Sequence, residues 1–278
     1  MKRLLAVLIV LVLVFAAVGF VGWLFWRMAD AVPILNYHRV DNKDDNPATL
    51  KVADFEAQIK FLVDSGYSFV TPDELVDARQ GGKPLPKNPV IICFDDGHND
   101  IYKNVFPILQ KYKIRATVFV VTDHIGMTDF LTWTQARELQ ASGLVDIESH
   151  TKSYKDLTRL RGDKLWDQIY GAKQAIEWAL KKPSKFISFP EGKYTVDAEL
   201  TAKELNYRAG FIEDYGLTSS KNDGFVLTRI PVQGSNSQTL LRFKLRLKGA
   251  PIFAPLHRMK ERLASDGNES IADMILIP

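Results

Sequence analysis

The stretch that decides the fold is Val90-Ile91-Ile92-Cys93-Phe94-Asp95-Asp96-Gly97. Five apolar residues in succession, mostly β-branched or aromatic, read as a strand buried on both faces, the habit of parallel sheets covered by helices. The run stops on two carboxylates and a glycine. Aspartate is a poor strand former, and glycine permits a sharp backbone exit. The carboxyl ends of parallel strands are where α/β proteins place reactive groups. Successive side chains leave a strand on opposite sides, so Asp95 and Asp96 are expected to do different jobs, one holding a cation while the other stays free as a base. The competing reading is a turn in which an aspartate caps the next helix.

Outward from this stretch, apolar runs of strand length alternate with segments of helical spacing. Strands are expected at Val32–Tyr37, Ser68–Val70, Ala116–Val121, Val145–Ser149, Phe186–Phe189, Arg208–Ile212 and Val226–Val232. Helices are expected at Val52–Asp64, from Pro72 behind a Thr71 cap, and over Ile101–Tyr112, Thr134–Ala141, Lys164–Leu180 and Thr195–Leu205. This alternation implies an α/β fold with a largely parallel sheet. Seven or eight βα units point to a (β/α) barrel, although the periodicity equally allows an open sheet. The tail differs: Leu241–Lys248 alternates apolar and basic residues, a strand pattern with one cationic face. It reads either as a solvated edge strand or as a contact for anionic headgroups or an anionic polymer. Ile271–Ile277 reads as a final strand.

A chain of 278 residues is long enough for one large domain with a full core. Its net charge of +3 is too small to suggest nucleic acid as a partner. The single cysteine, Cys93, excludes an internal disulfide and lies mid-strand as a small core side chain. At the N-terminus, Met1-Lys2-Arg3 precedes an uncharged stretch from Leu4 to Trp26, closed by Arg27. Its length suits a transmembrane helix, Trp23 and Trp26 suit an aromatic belt, and Lys2-Arg3 favour a cytoplasmic N-terminus. The expectation is a single-pass anchor in the cytoplasmic membrane, with Val32 onward extracytoplasmic. Cleavage of a signal peptide near Ala29-Asp30-Ala31 is the alternative, with the protein then secreted.

Polar groups recur where expected strands end: His38, Asp95-Asp96, His150 and Pro190-Glu191-Gly192. A parallel barrel opens all these ends on one face, so distant residues converge. A lone histidine is more often structural, but two histidines and two aspartates together begin a divalent-cation site with positions left for water and substrate. Paired carboxylates, Asp95 with Glu148 or Glu191, also suit glycosidase chemistry, which leaves both histidines unused.

Here a family resemblance becomes specific. Cys93-Phe94-Asp95-Asp96-Gly97 resembles the Thr-Phe-Asp-Asp-Gly motif of the polysaccharide deacetylases, the NodB-homology group of carbohydrate esterase family 4. Ser149-His150-Thr151 resembles their second motif and Phe189-Pro190-Glu191-Gly192 their Tyr-Pro-Tyr-Gly segment. Asn36-Tyr37-His38-Arg39-Val40 resembles the Tyr-His element of the branch acting on poly-N-acetylglucosamine. The similarity runs from about Pro33 to Gln233. It implies a distorted (β/α) barrel over 32–234, between a membrane anchor with a short linker at 1–31 and a basic C-terminal tail at 235–278. It further implies removal of acetyl groups from N-acetylated glycan with a divalent metal, zinc foremost and cobalt or manganese next. By matching position, Asp95 becomes the general base, His38 the general acid, and Asp96 and His150 metal ligands. Tyr37, Pro190, Glu191 and Arg229 fall to the substrate pocket. The chain also departs from the pattern. Tyr154 stands where the second motif has its second histidine, leaving the third ligand to Tyr154, His98, Glu148 or water. That departure opens the alternative of a glycan- or partner-binding protein without catalysis. The arginine that orients the base is missing from its usual segment, and Arg229 is the candidate replacement. Leu227-Thr228-Arg229 stands where a late leucine-x-histidine motif is expected, which leaves His38 as the acid.

Overall fold

The structure, a computed structural model, describes residues 31–43, 46–219, 223–275 and 277, with Phe15, Gly19 and Gly22 besides. The chain divides into two units, Met1–Ala31 and Val32–Pro278. The expected anchor lies outside the described residues, apart from the few just named; among the described residues no helix is long and apolar enough to cross a membrane.

In the second unit, seven parallel strands close on themselves: β1 (Ile34–Tyr37), β5 (Pro89–Phe94), β6 (Ala116–Val120), β7 (Val145–Ser149), β8 (Phe186–Ser188), β9 (Ala209–Tyr215) and β10 (Val226–Pro231). Closure is made by β1, which pairs with β10 on one side and with β5 on the other, from Ile34 opposite Ile91 to Tyr37 opposite Phe94. That pairing resolves barrel against open sheet. Two residues of β4 (Ser68–Phe69) pair with the start of β5, and β2 (Arg39–Val40) pairs with β3 (Thr49–Leu50) apart from the barrel.

The helices follow their expected positions. They are α1 (Val52–Asp64), α2 (Pro72–Arg79), α3 (Phe106–Tyr112), α4 (Trp133–Ala141), α5 (Gly162–Leu180) and α6 (Val196–Glu204). Thr71 with Glu74, and Thr132 with Gln135, form capping boxes that start α2 and α4. The first turn expected of α3 is instead a π-turn at Ile101–Val105, directly after the Asp-Asp-Gly exit.

The tail overturns two expectations. Leu241–Lys248 is not a strand but part of α8 (Leu240–Ser265), capped by the Thr239 side chain. Phe243, Leu247, Ala250 and Ala254 are its buried apolar residues, spaced at helical intervals, with Arg246 buried beside them, while Leu241 and Leu245 face outward. The period-2 reading took too short a window. Ile271–Ile277 likewise holds no strand among its described residues, and Glu269–Ala272 is a short helix, α9, after the four-residue α7 (Gly234–Ser237).

Strand alternation then builds the barrel interior in layers. Ile34, Cys93, Phe119, Phe186, Phe211 and Leu227 form one buried apolar cluster. Phe119 and Phe211 meet at 5.0 Å between ring centroids. Each fully buried ring contributes about 1.5–3 kcal/mol. Two residues further along five of these strands stand Asn36, Asp95, Ser188, Glu213 and Arg229. The polar floor of the site is thus the next layer up.

Candidate active site

Asp95 is fully buried and held by the Arg229 guanidinium in a two-point pair, Nη1 to Oδ1 at 2.8 Å and Nη2 to Oδ2 at 2.7 Å. Asn36 Nδ2 donates to Oδ2 at 3.1 Å, and Arg229 also donates to Asn36 Oδ1 and to the Ser188 hydroxyl. Burial alone would raise the Asp95 carboxyl; Arg229, then His150 and His38, overcome it and hold the group well below the usual carboxylate range. Arg229, equally buried, stays charged through the same pair.

Asp96 turns the other way. Its φ of 70° is left-handed, a conformation an aspartate tolerates, and Gly97 follows at 78°. A Cβ at Gly97 would lie 2.8 Å from Val120 Cγ1, so the turn requires glycine. The turn presents the Asp96 carboxylate to two imidazoles: His150 Nε2 is 3.6 Å from Oδ1 and His98 Nε2 is 3.5 Å from Oδ2. His150 is buried, and its Nδ1 donates to the Ser188 carbonyl at 2.8 Å, which directs Nε2 toward Asp96. Burial opposes ionisation of Asp96, but His98, His150 and His38 lower its carboxyl below the ordinary value.

Across the floor, His38 Nε2 is 3.0 Å from Glu213 Oε1. Burial disfavours the imidazolium, yet Glu213, Asp95 and Asp96 together raise the His38 pKa above its ordinary value. Glu213 moves oppositely, its carboxyl lowered by His38 against the effect of burial. The β9–β10 register slips between Leu227 and Arg229, where Tyr215 rather than Glu213 opposes Arg229. This irregularity aims Glu213 into the mouth.

Two groupings could hold a cation. His38, Asp95 and Glu213 have ligand atoms within 4.8 Å of one another. Both Asp95 oxygens, however, already face a permanent guanidinium charge, which would repel an ion there. Asp96 has no lysine or arginine partner among the ion pairs of the described residues, and it meets two imidazole nitrogens. A carboxylate oxygen with an imidazole nitrogen is a donor set that fits zinc, cobalt or manganese.

The polysaccharide deacetylase family matches residues 82–210. YxkH of Bacillus subtilis (strain 168) is 31% identical over 212 residues, spanning 76% of this chain and 75% of YxkH. The chain belongs to the polysaccharide deacetylases. The poly-beta-1,6-N-acetyl-D-glucosamine N-deacetylase of Staphylococcus aureus (strain MSSA476) is 30% identical over 220 residues, 69% of this chain and 76% of that one. Among solved structures, Streptococcus pyogenes deacetylase PplD in complex with acetate superposes with a TM-score of 0.72 at 26% identity, over 78% of this chain and 98% of PplD. IcaB from Ammonifex degensii, at 23% identity and a TM-score of 0.67 over 76% and 98% of the two chains, shares the fold. As a member of this family, the protein is classed as a polysaccharide N-deacetylase, a hydrolase of the carbon–nitrogen bond of a linear amide.

The remaining candidate residues of this deacetylase separate. Tyr37 is not a pocket residue: alternation turns it away from Asn36 and His38, and its hydroxyl donates to Gln58 Oε1 at 3.0 Å in the core, with its ring stacked on Phe94. Arg229 lies beneath the pocket, not in it, and occupies the orienting place beside Asp95. Pro190 is buried; Glu191, at a left-handed φ of 53°, is exposed and paired with Lys193. Glu148 shares the strand face of His150 but is no ligand. Its carboxylate accepts from Lys182, the Ser184 hydroxyl and the Lys185 and Phe186 amides. Glu148 is engaged by Lys182 and backbone amides and Glu191 by Lys193, while Asp95 is engaged by Arg229, so the pairing of carboxylates expected of a glycosidase is not formed among these groups. Tyr154 packs edge-on against His150 at 5.1 Å between centroids. Burial, then Asp96, Glu213 and Asp95, push its phenol far up, which keeps it neutral and a poor ligand. Asn36, Ser188 and Glu213 were missed from the sequence. For Asn36 and Ser188 a signal existed, since each is a polar residue inside an apolar buried run. Glu213 lay one residue beyond the expected end of its strand.

Proposed function

We propose that this deacetylase is metal-dependent and acts outside the cytoplasmic membrane on a glycan resembling poly-N-acetylglucosamine. The observation that carries this reading is the contrast between adjacent carboxylates, Asp95 locked to Arg229 and Asp96 facing His150 and His98. Asp96 and His150 would hold the ion. A bound divalent cation supplies charge that polarises the acetamide carbonyl and acidifies water. Asp95, ionised throughout the physiological range and fixed by Arg229, Asn36 and Ser188, accepts the proton of the attacking water. His38, its pKa raised by Glu213, Asp95 and Asp96 against the effect of burial, would donate a proton to the departing amine from its imidazolium form. The glycan identity draws support from the staphylococcal relative, and the membrane address from the uncharged Leu4–Trp26 stretch behind Lys2-Arg3.

A second reading, a glycan-binding protein without turnover, rests on Tyr154 in place of the second motif histidine. Acetate release from β-1,6-linked N-acetylglucosamine oligomers, measured with zinc, cobalt or manganese, separates the two. Release abolished by Asp95→Asn in a folded protein supports the enzyme; no release with any of these metals refutes it. Fractionation of cells, with protease access to the domain beyond Val32, tests the address.

A further inference from the structure

Leu241–Lys248 is no strand, but its alternation of apolar and basic residues gives α8 (Leu240–Ser265) a second apolar face, turned away from the core. We infer that this outward face of α8 is a docking surface for an anionic lipid bilayer, lying at the level of the headgroups. The surface is separate from the deacetylase site and shares no residue with it.

The inner face of α8 is occupied by the barrel wall. Phe243, Leu247, Ala250 and Ala254 are buried, Phe61 meets the Phe243 ring at 6.2 Å between centroids, and the Tyr215 hydroxyl donates to the Arg246 carbonyl at 2.8 Å. The outer face carries Leu241, Leu245, Ile252 and Met259, all large and exposed, Leu241 at 68% and Ile252 at 50%. At 3.6 residues per turn these four fall within about 40° of one another and about half a turn from the buried set. They make one stripe roughly 27 Å long at 1.5 Å per residue. Apolar residues scattered singly on a surface need no explanation, whereas a continuous row marks an interaction site.

Charge identifies the partner's chemistry. Seven lysines and arginines stand on α8 against one acid, Glu261, whereas the whole chain is nearly balanced at 36 to 33. No acid occurs from Leu240 to Lys260. Arg258 and Lys260 reach Asp214 and Asp273 at 3.9 and 3.8 Å. Arg242, Lys248 and Arg262 are exposed and face no carboxylate among the ion pairs of the described residues. By helical spacing Arg242 flanks the stripe on one side, Lys248 and Arg262 on the other. An apolar row edged by cations is the pattern of a helix lying in a bilayer interface, its apolar side chains entering the acyl boundary while its cations meet lipid phosphate. An anionic polymer in water would leave the stripe unused, and a second copy of α8 would bring like charges together. An anionic amphiphile uses both parts.

The single native cysteine makes a local test possible. Cys93 is buried, so Ile252→Cys takes an environment-sensitive fluorophore on the stripe, and Val196→Cys, exposed at the start of α6, serves as the control position. The full chain is reconstituted in vesicles of phosphatidylcholine alone or of equal parts phosphatidylcholine and phosphatidylglycerol. In the mixed vesicles the label at 252 should shift to the blue and be quenched by brominated acyl chains, and the label at 196 should do neither. Each cation beside an anionic surface favours contact by on the order of fivefold. Arg242→Gln/Lys248→Gln/Arg262→Gln should therefore weaken docking about a hundredfold and bring quenching at 252 down to the level at 196. Added salt should lower the quenching in the parent. Unchanged thermal melting shows that the variants are folded, and acetate release from soluble oligomers should be unaffected. Equal quenching at 252 and 196, or quenching that persists in the triple variant and in neutral vesicles, overturns the inference while the deacetylase reading stands. A label shielded in detergent together with a doubled mass overturns it in favour of a second copy. Shielding by inorganic polyphosphate but not by mixed vesicles overturns it in favour of an anionic polymer.

Discussion

Glu213→Gln should move the alkaline limb of the pH–rate profile to lower pH by about one unit. The imidazole and carboxylate meet at 3.0 Å, with side chains 14% and 30% exposed. Opposite charges 4 Å apart at an effective dielectric constant of 20 attract by about 4 kcal/mol. The open side of Glu213 lets solvent screen the pair, which leaves roughly 1–2 kcal/mol, or about one pH unit at 1.36 kcal/mol each. The sign follows from the acid's role. The His38 pKa is raised, so its protonated form is fully present at low pH and lost as pH rises through that elevated value. Glutamine keeps an oxygen to accept from Nε2 but removes the charge, so the imidazolium is lost sooner. Acetate release at saturating metal, from about pH 5.5 to 9.5, gives kcat/KM for both proteins. A limb that stays in place while kcat/KM falls uniformly would refute the electrostatic account and leave Glu213 a merely steric neighbour.

Three further outcomes follow from the same geometry. Arg229→Met leaves the Asp95 carboxylate buried alone and should cost about 3–5 kcal/mol in denaturant unfolding, most of it recovered in the Asp95→Asn/Arg229→Met double variant; strictly additive losses would contradict a coupled pair. Asp96→Ala should remove bound metal, by elemental analysis, without loss of fold, and a chelator should abolish acetate release until metal is restored; retained metal would move the site to the His38 grouping. Tyr37→Phe should cost about 1–3 kcal/mol, because Gln58 loses its buried donor, with KM unchanged; a raised KM would return Tyr37 to the pocket.

Much of this was legible because the information is local. The run Val90–Phe94 ended where its residue types said it should, and Thr71-Pro72-Asp73-Glu74 specified its helix start through side chains that cap their own backbone. Closure was not legible, since the pairing of β1 with β5 joins segments more than fifty residues apart and leaves no periodic trace. Glu213 escaped for a related reason: Ile212-Glu213-Asp214 looks like a strand ending in acids, but pairing with β10 carries the strand on to Tyr215. Tyr37 was misplaced by one position of alternation, which separates a core ring from a pocket ring. The tail failed because an alternating octet also fits one face of a longer helix, and only Ala250 and Ala254 beyond it distinguish the two.

The division of labour at β5 follows from closure as much as from the Asp-Asp pair. A carboxylate pointing into an apolar barrel would be costly alone. Because β10 comes round to pair with β1, Arg229 arrives beneath Asp95 with both guanidinium nitrogens aligned, and the carboxylate is kept charged, dry and fixed. That same pairing consumes both Asp95 oxygens and disqualifies the residue as the ion's main anchor. The next residue must therefore face another way, and the left-handed turn at Asp96 and Gly97 swings it toward His150 and His98. One strand tip thus supplies a preorganised proton acceptor and a separate cation ligand, set apart by one peptide and opposite charge environments. A substitution that straightened this turn, such as Gly97→Ala against Val120, would disturb both roles while leaving every charged group in the chain.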